Sequence, residues 1–410
     1  MVSKHHKPTA DCRLLTDDCC IICDKAENPM NRLINIHCHL LNYQFISASV
    51  FRSRSATLEW LLRHKCSKPL FGLAAACMPK RRFRKLDEAA ALMKSDIRQV
   101  ASSLRNEMKA AGIELAVPLI MDMGRTAFVL GPQIPFTFQA RLISDLSLEN
   151  FGALMPFVMV DPRRTRARDL LVRCLEQLGF YGVKMYPALG YHPDPDSLYN
   201  DPQTNDELRA VYDYCENHMV PITTHCSPGG AYSDDILRSK QIRAEFTQPW
   251  SWAGVLRKYP MLYINFAHFG QDLIQIKDPK SWSAGIRALA CEYPHVYTDL
   301  AYNKAALMPQ TCIQYLDALN RIIDNDQIMR DRILFGTDWS MTRHTWRERD
   351  YVEPFLKLGE KKLDKIAFSN PLDFLFPQRK FPDRVARFLG ANGKEVSSLP
   401  DWLRAQVGNR

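Results

Sequence analysis

Short apolar runs alternate along the chain with longer segments in which apolar residues recur every three or four positions. The runs are rich in Val, Ile, Leu, Phe and Tyr. Several are apolar almost throughout, which is typical of strands buried on both faces of a parallel sheet. We predict strands at Leu33–His39, Ile113–Met121, Ala153–Val160, Gly182–Tyr186, Val220–His225, Met261–His268, His295–Leu300 and Ile333–Asp338.

The segments between the predicted strands have the periodicity of amphipathic helices. In the longest of them, Arg84–Ala111, apolar residues from Leu86 to Met108 follow this periodicity, and Gly112 provides a stop signal. Further helices are predicted at Thr165–Leu178, Asn205–His218, Trp250–Lys258, Ser281–Glu292, Met308–Ile323, Glu353–Leu358, Lys361–Phe368 and Asp383–Leu389. The repeated alternation of strand and helix predicts an α/β protein with the closed (β/α)8 architecture of a TIM barrel.

The barrel is expected to span residues 31–377 of the 410-residue chain. About 250 residues suffice for such a barrel, so the remaining length predicts additions and not a second full domain. They are a β1–α1 insertion at Leu40–Gly112, an N-terminal extension at 1–30 and a C-terminal appendage at 378–410. The early part of the insertion is expected to line the mouth of the site.

Composition narrows the class of protein. Hydrophobic residues make up 46% of the chain and charged residues 24%, as in soluble domains. No apolar run reaches about 18 residues, so no membrane span is predicted. The first 25 residues lack the apolar core of a secretory signal, which favours a cytoplasmic protein. The net charge of +9 is dispersed, so nucleic acid is not predicted as a partner.

The cysteines are scattered through strand-like and helix-like segments. There are 12 of them, and this distribution favours reduced thiols over a disulfide framework. Cys12, Cys19, Cys20 and Cys23 form a cluster near the N-terminus. A structural zinc site is the alternative there, but a single Cys-x-x-Cys pair beside two adjacent cysteines is poor spacing for one.

Polar residues with metal-binding side chains stand at the predicted strand ends. His37 and His39 are two residues apart on one strand, so both imidazoles are expected to point the same way. His225, His268 and Asp338 end three other strands. Since the carboxyl ends of barrel strands form the active face, these side chains are expected to meet. Imidazole with carboxylate predicts a divalent cation, with Zn²⁺ favoured over Mn²⁺ or Fe²⁺.

These motifs resemble the amidohydrolase superfamily, and more closely its amidohydrolase-related branch of metal-dependent TIM-barrel hydrolases and decarboxylases. The resemblance covers roughly residues 31–377 and involves five strands in the expected order. The matching segments are Ile34–His39, Tyr181–Pro187, Ile222–His225, Asn265–Gly270 and Ile333–Trp339.

The resemblance implies a role for each strand-end residue. His37, His39, His225 and Asp338 are implied as ligands of a catalytic metal. Asp338 is also implied as the proton-transfer group. His268 is implied either as a ligand of a second ion or as a catalytic group that polarises the substrate. Lys184 corresponds to a lysine that is carboxylated and bridges two ions in some members. A lysine that pairs with a carboxylate or binds an acidic substrate is the alternative, so one or two ions are expected.

Several residues after strand ends are candidates for substrate contact, with loop packing as the alternative for each. They are Tyr186, Tyr191, Asn303, Trp339 and Arg163. An arginine can bind a substrate carboxylate, but Asp161-Pro162-Arg163 is also a good helix start.

The predicted function is hydrolysis of a C–O or C–N bond in a lactone, ester or amide of a small, carboxylated molecule. Metal-activated water would be the nucleophile. The resemblance leaves non-oxidative decarboxylation of an aromatic or unsaturated acid as the alternative. A non-catalytic barrel used for binding is a minor alternative. A homodimer is compatible with the resemblance.

Overall fold

Eight parallel strands form one sheet, in a computed structural model that describes residues 32–46, 86–124, 132–228 and 240–407. Each strand pairs with the next in chain order, from the first to the last. The strands are β1 (Leu33–Cys38), β2 (Ile113–Ile120), β3 (Phe157–Val158), β4 (Gly182–Met185), β5 (Ile222–Thr224), β6 (Ile264–Phe266), β7 (Val296–Asp299) and β8 (Ile333–Leu334).

The ring closes between the last strand and the first. The Ile36 amide donates to the Phe335 carbonyl at 3.1 Å, and Cys38 forms a parallel bridge with Trp339. We call this junction the seam, meaning residues 35–39 on one side and residues 335–339 on the other. Strands alternating with helices around a closed sheet confirm the predicted (β/α)8 barrel.

The helices surround the strands. They are α1 (Leu86–Met93), α2 (Ile97–Ala111), α3 (Phe136–Glu149), α4 (Ala167–Gln177), α5 (Pro202–Asn217), α6 (Lys240–Thr247), α7 (Ala253–Lys258), α8 (Trp282–Glu292), α9 (Lys304–Leu307), α10 (Cys312–Asn325), α11 (Gln327–Arg330), α12 (Glu348–Val352), α13 (Glu360–Asp364), α14 (Asn370–Leu375), α15 (Asp383–Ala391) and α16 (Asp401–Gln406). A π-helical turn, Lys365–Ser369, joins α13 to α14.

The prediction of one helix at Arg84–Ala111 is wrong in one respect, because the helix is broken between α1 and α2. Asp96 has an extended backbone, and its carboxylate accepts the amide of Arg98 at 2.8 Å, so it starts a new helix. Gly112 ends α2 as predicted, with a φ of 72° that glycine adopts without steric cost. Helix α3 was not predicted, although Phe136, Ala140 and Ile143 are buried at helical spacing.

Several strands are shorter than predicted, and candidate site residues therefore lie just beyond two of the strand ends. β6 ends at Phe266, and His268 has a φ of 70°. β8 ends at Leu334, whereas the predicted strand ran to Asp338, which has a φ of 60°. Left-handed backbone cannot continue a ladder, and it is concentrated at functional sites.

The two faces of the strands are buried in different clusters. Leu115, Val117 and Leu119 alternate along β2 and belong to a cluster that we call the inner cluster. It is made mainly of strand residues and residues of the C-terminal segment: Ile34, Ile36, Leu115, Val117, Leu119, Met155, Phe157, Tyr181, Tyr263, Tyr297, Leu334, Leu372, Phe374, Leu375, Phe376, Phe381, Val385, Phe388, Leu389, Leu399, Leu403 and Val407. The helices α15 and α16 therefore pack onto the barrel as part of its core.

Residues 31–410 form one compact unit. The predicted boundary between a barrel at 31–377 and an appendage at 378–410 stays a prediction. The extension at 1–30, its four cysteines and the insertion residues 47–85 lie outside the described residues. The six cysteines within the described ranges are free thiols. Among the described helices, none is both long and apolar enough to cross a bilayer.

Candidate metal centre

His37, His39 and Asp338 form a buried group at the seam. Oδ1 of Asp338 lies 3.1 Å from Nε2 of His39 and 3.7 Å from Nε2 of His37. Their ligand atoms lie close enough to bind one ion together. The pairing of β1 with β2 shifts register between Asn35 and Cys38, so the strand is irregular where it presents the histidines.

Asp299, at the end of β7, fixes the orientation of His37. Its Oδ2 accepts from Nδ1 of His37 at 2.9 Å and from Nδ2 of Asn265 at 2.7 Å. Its Oδ1 accepts the amides of His268 and Ala301 at 2.9 and 3.0 Å. Because both oxygens of Asp299 accept hydrogen bonds from N–H groups, Nδ1 of His37 is assigned the proton of this contact, and Nε2 presents its lone pair towards Asp338.

Backbone carbonyl groups orient two more imidazoles in the same way. Nδ1 of His39 donates to the Leu119 carbonyl at 2.8 Å, and Nδ1 of His268 donates to the Ala301 carbonyl at 3.0 Å. In both rings the other nitrogen, Nε2, is left with its lone pair. Burial lowers the pKa of His268 to about 3. Burial and the neighbouring Lys184 also lower the pKa of His37 well below its ordinary value. The imidazoles of His37 and His268 are therefore neutral, as metal ligation requires.

The residues present fit a divalent cation. Oδ1 of Asp338 is buried and makes no hydrogen bond with any described residue, although it lies near two imidazole nitrogens. A buried polar atom without a partner is costly, and a bound ion is one of the accepted explanations for it. Two imidazole nitrogens and a carboxylate oxygen are a ligand set that suits zinc and other first-row metals.

A second group consists of His37, His268 and Asp299, whose ligand atoms also lie close together. Asp299 already accepts four hydrogen bonds, so it holds neighbouring groups in place and is poorly suited to bind an ion as well. Sequence reasoning missed this residue, although its position at the end of a strand was the signal that identified the others.

His225 lies beside His268 and outside both groups. Its Nδ1 is 3.3 Å from Nε2 of His268, and its ring stacks on Tyr186 with centroids 4.4 Å apart. Its predicted role as a metal ligand stays a prediction.

Lys184 is fully buried on β4, close enough to Asp299 and Asp338 to interact electrostatically with both. Burial lowers the pKa of its ammonium group to about 8, while Asp299 and Asp338 act in the opposite direction. Burial therefore makes the neutral amine, which carboxylation of a lysine requires, more accessible than in an exposed lysine.

The two backbone segments of the seam approach each other closely at Gly336 and His37. A Cβ atom added to Gly336 would lie 2.9 Å from Cβ of His37. Glycine therefore allows the strand that leads to Asp338 to approach β1 closely.

The candidate substrate residues divide into two sets. Tyr186 lies next to a histidine, because its ring stacks on His225, and Tyr191 contacts Tyr186 through its hydroxyl, which accepts the Tyr186 amide at 2.9 Å. The polar groups of the others bind protein atoms. Nδ2 of Asn303 donates to the His268 carbonyl, the Trp339 indole donates to Glu107, and the Arg163 guanidinium pairs with Asp161.

The chain matches a known protein family and shares its fold with solved structures. The sequence profile of the family described as Amidohydrolase matches residues 34–376. The fold is similar to that of a probable 2-pyrone-4,6-dicarboxylic acid hydrolase from Acinetobacter baumannii, with a TM-score of 0.51 and 14% identity over 84% of this chain and 99% of that one.

Decarboxylases have a similar fold. For a 2,6-dihydroxybenzoate decarboxylase, the TM-score is 0.50 and the identity 17% over 84% of this chain and 99% of that one. For a 5-carboxyvanillate decarboxylase from Novosphingobium aromaticivorans, solved with bound manganese, the values are 0.51 and 13% over 85% and 98%. At these identities the likeness shows a shared barrel fold.

Proposed function

Because the chain belongs to the amidohydrolase family, we propose that it is a metal-dependent hydrolase of a small, carboxylated molecule. The bond cleaved is a C–O or C–N bond of a lactone, ester or amide. The observation that carries this proposal is the buried group of His37, His39 and Asp338, in which Oδ1 of Asp338 forms no hydrogen bond within the described part of the chain. A divalent cation held there supplies a Lewis acid that makes water a nucleophile near neutral pH.

Asp338 is proposed as the residue that moves the proton. Its buried carboxylate lies beside the proposed ion position, so it would accept a proton from the attacking water. The carboxylate would then return this proton to the leaving group.

His268 is proposed to act through the lone pair of Nε2. Its other nitrogen donates to a carbonyl, and its lowered pKa keeps the ring neutral. A neutral ring in this tautomer accepts a hydrogen bond or binds a cation, and it does not donate from Nε2. Of the two expected roles, this favours metal ligation over stabilisation of an oxyanion.

Lys184 supports a carboxylated substrate or a bridging role. Its protonated form is a buried cation that attracts a substrate carboxylate, whereas its neutral form is the nucleophile that carboxylation needs. Decarboxylation of an aromatic or unsaturated acid is the alternative function, because the same cation and the same metal group can orient a carboxylate that leaves as carbon dioxide. A non-catalytic binding barrel is the minor alternative.

The first experiment is elemental analysis of the protein purified without chelators, as wild type and as Lys184→Ala. About two ions per chain that fall in the variant indicate a bridging lysine and hydrolysis. About one ion in both proteins gives decarboxylation equal standing. No ion, even after addition of zinc or manganese, contradicts the proposed enzyme.

An activity panel then separates the two reactions. Lactones, esters and amides that carry a carboxylate are followed by acid release in a pH-stat, and hydroxybenzoates are followed by release of carbon dioxide. Hydrolysis alone supports the proposal, and carbon dioxide release alone supports the alternative.

We propose in addition that the ion is zinc, that the compartment is the cytoplasm and that the protein forms a homodimer. The two-histidine, one-carboxylate set supports zinc, and the free thiols support a reducing compartment. Elemental analysis, cell fractionation and light scattering test these three points in turn.

A further inference from the structure

Glu348 is a buried carboxyl group that none of the proposed catalytic steps uses. It is the first residue of α12, and its side chain is almost fully shielded from solvent. Its Oε1 accepts two hydrogen bonds, from Nδ2 of Asn35 at 3.1 Å and from Oγ1 of Thr337 at 2.8 Å. Asn35 and Thr337 lie on opposite sides of the seam, so one oxygen atom links the first strand to the segment after the last.

A direct hydrogen bond between Asn35 and Thr337 completes a triangle with Glu348. Nδ2 of Asn35 donates to Oγ1 of Thr337 at 2.7 Å, and Oδ1 of Asn35 accepts the amides of His37 and Thr337 at 3.1 and 3.2 Å. Oγ1 of Thr337 also accepts the Trp339 amide at 3.2 Å. The triangle of Asn35, Thr337 and Glu348 therefore fixes the backbone on both sides of Asp338 and before His37.

Asp338 depends on this backbone for its position. Its Oδ1 forms no hydrogen bond with the described protein atoms, whereas its amide donates to the His37 carbonyl at 2.8 Å. The distance from its carboxylate to the two imidazoles therefore follows from how the seam is joined. Within the described residues, the triangle is the group of side chains that joins the seam directly beneath the ligands.

A second carboxylate attaches the triangle to the insertion helix α2. Oε2 of Glu107 accepts the Glu348 amide and the Trp339 indole, both at 3.1 Å. Oε1 of Glu107 accepts from Nε of Arg343 at 2.5 Å. The loop that follows Asp338 is thus held at its beginning, middle and end by one residue.

We propose that Glu348 is a positioning residue for the metal centre, because its carboxyl group holds Asn35 and Thr337 together at the seam. The spacing between the β1 histidines and Asp338 is thereby set by a residue that is not a ligand. This inference rests on the proposed function, since it assumes that the seam binds an ion. Supporting residues of this kind change metal affinity by roughly 10- to 100-fold when they are removed.

The test measures zinc affinity of the metal-free protein by competition with a chromophoric chelator, in parallel with thermal unfolding. Glu348→Ala and Thr337→Val each break the triangle and are expected to weaken zinc binding by about 10-fold or more. Glu348→Gln keeps an oxygen that accepts both hydrogen bonds, so it is expected to bind zinc almost as wild type does. Rescue by this variant is the result that a purely structural role of the region does not predict.

Ser147→Ala is the matched control. Its hydroxyl is buried and donates to the Leu154 carbonyl at 2.9 Å, away from the seam. The control is expected to lower the melting temperature and leave zinc affinity unchanged. The inference is overturned if Thr337→Val and Glu348→Ala bind zinc as wild type does while their melting temperatures fall. Thr337→Val decides the matter if Glu348→Ala does not fold.

The outcome for wild type separates this inference from the proposed function. A wild-type protein that takes up no zinc or manganese contradicts the metal site itself, and the positioning role with it. A wild-type protein that binds zinc, together with variants that bind it equally well, contradicts the positioning role and leaves the proposed function standing.

Discussion

The two ends of the barrel are built from different interactions. At one end, buried polar groups are linked by hydrogen bonds, as Asn35 is to Glu348 and Asn265 is to Asp299. At the other end, the apolar side chains of the inner cluster meet α15 and α16 of the C-terminal segment. Hydrogen bonds are directional, whereas apolar burial is not.

We infer that the polar end mainly determines the geometry of the proposed metal site, and the apolar end mainly the stability of the fold. The polar end determines where ligand atoms lie, and a buried network that is well satisfied specifies one arrangement. The apolar end contributes free energy in proportion to the area removed from water. Substitutions at the polar end should therefore change metal affinity, and substitutions at the apolar end should change the free energy of unfolding.

The largest effect is expected for Asp338→Asn. It removes the charge of the proposed carboxylate ligand, and even supporting residues change metal affinity by roughly 10- to 100-fold. We expect zinc affinity to fall by more than about 100-fold, measured by chelator competition. Asp331→Asn, at a half-exposed surface carboxylate paired with Lys365, is the control and should bind zinc normally. Equal affinity in both variants would remove Asp338 from the ligand set.

At the opposite end, Leu403→Ala tests stability. Leu403 is fully buried in the inner cluster, and such a truncation costs about 2–5 kcal/mol in the free energy of unfolding. Urea denaturation measures this loss. Zinc affinity of the folded variant should remain within about twofold of wild type. Leu198→Ala removes a fully exposed side chain and should change neither quantity. A large loss of zinc affinity in Leu403→Ala would show that the two ends are coupled.

Asp299→Asn should give a smaller effect at the polar end. The substitution weakens the acceptor that fixes the tautomer of His37, and a loss of roughly 10- to 100-fold in zinc affinity is expected. Thr298→Val is the neighbouring control, because the Thr298 hydroxyl donates to the Phe266 carbonyl and not to a ligand. If both variants bind zinc equally well, Asp299 supports the fold and not the ligand.

The last and most gradual effect is the pH dependence of the free energy of unfolding, compared between wild type and Glu348→Gln. Burial and the nearby Glu107 raise the pKa of Glu348 from 4.5 to about 8, against a hydrogen bond from Thr337. The folded state therefore holds this proton more tightly than the unfolded state. Its stabilising contribution is complete below the unfolded pKa and is lost as pH rises through the folded pKa.

Wild type should therefore lose stability relative to Glu348→Gln as pH rises between about pH 5 and pH 8. The slope is at most about 1.4 kcal/mol per pH unit. Urea denaturation of both metal-free proteins across this range measures the difference. Parallel curves for the two proteins would mean that Glu348 titrates in the folded state as it does in the unfolded chain.

The sequence predicted the barrel well because its strands are buried on both faces. Apolar runs and helical periodicity do not depend on distant residues, so their order could be inferred position by position. The break before α2 was predictable in principle, since Ser95-Asp96 is a helix start signal inside an apolar pattern. Helix α3 carried a regular apolar spacing and was missed all the same.

The site was predictable to the extent that its residues stand at strand ends. His37, His39 and Asp338 were expected to meet, and the structure brings them together. Asp299 was missed although it stands at a strand end, whereas nothing near Glu348 in sequence shows that it contacts Asn35. Such contacts arise from the closure of the barrel. The ligand role of His225 stays a prediction.

The seam joins residues that are far apart in the order of synthesis. Asn35 and Thr337, which hydrogen-bond directly, are separated by 302 positions. At elongation rates of roughly 5–20 residues per second, the ribosome adds the second of them tens of seconds after the first. His37 and His39 are therefore synthesised long before Asp338, and the three side chains can meet only when almost the whole barrel has been made. The proposed metal site is thus completed late in synthesis, and a chain that ended before Asp338 would lack the carboxylate that we propose as a ligand.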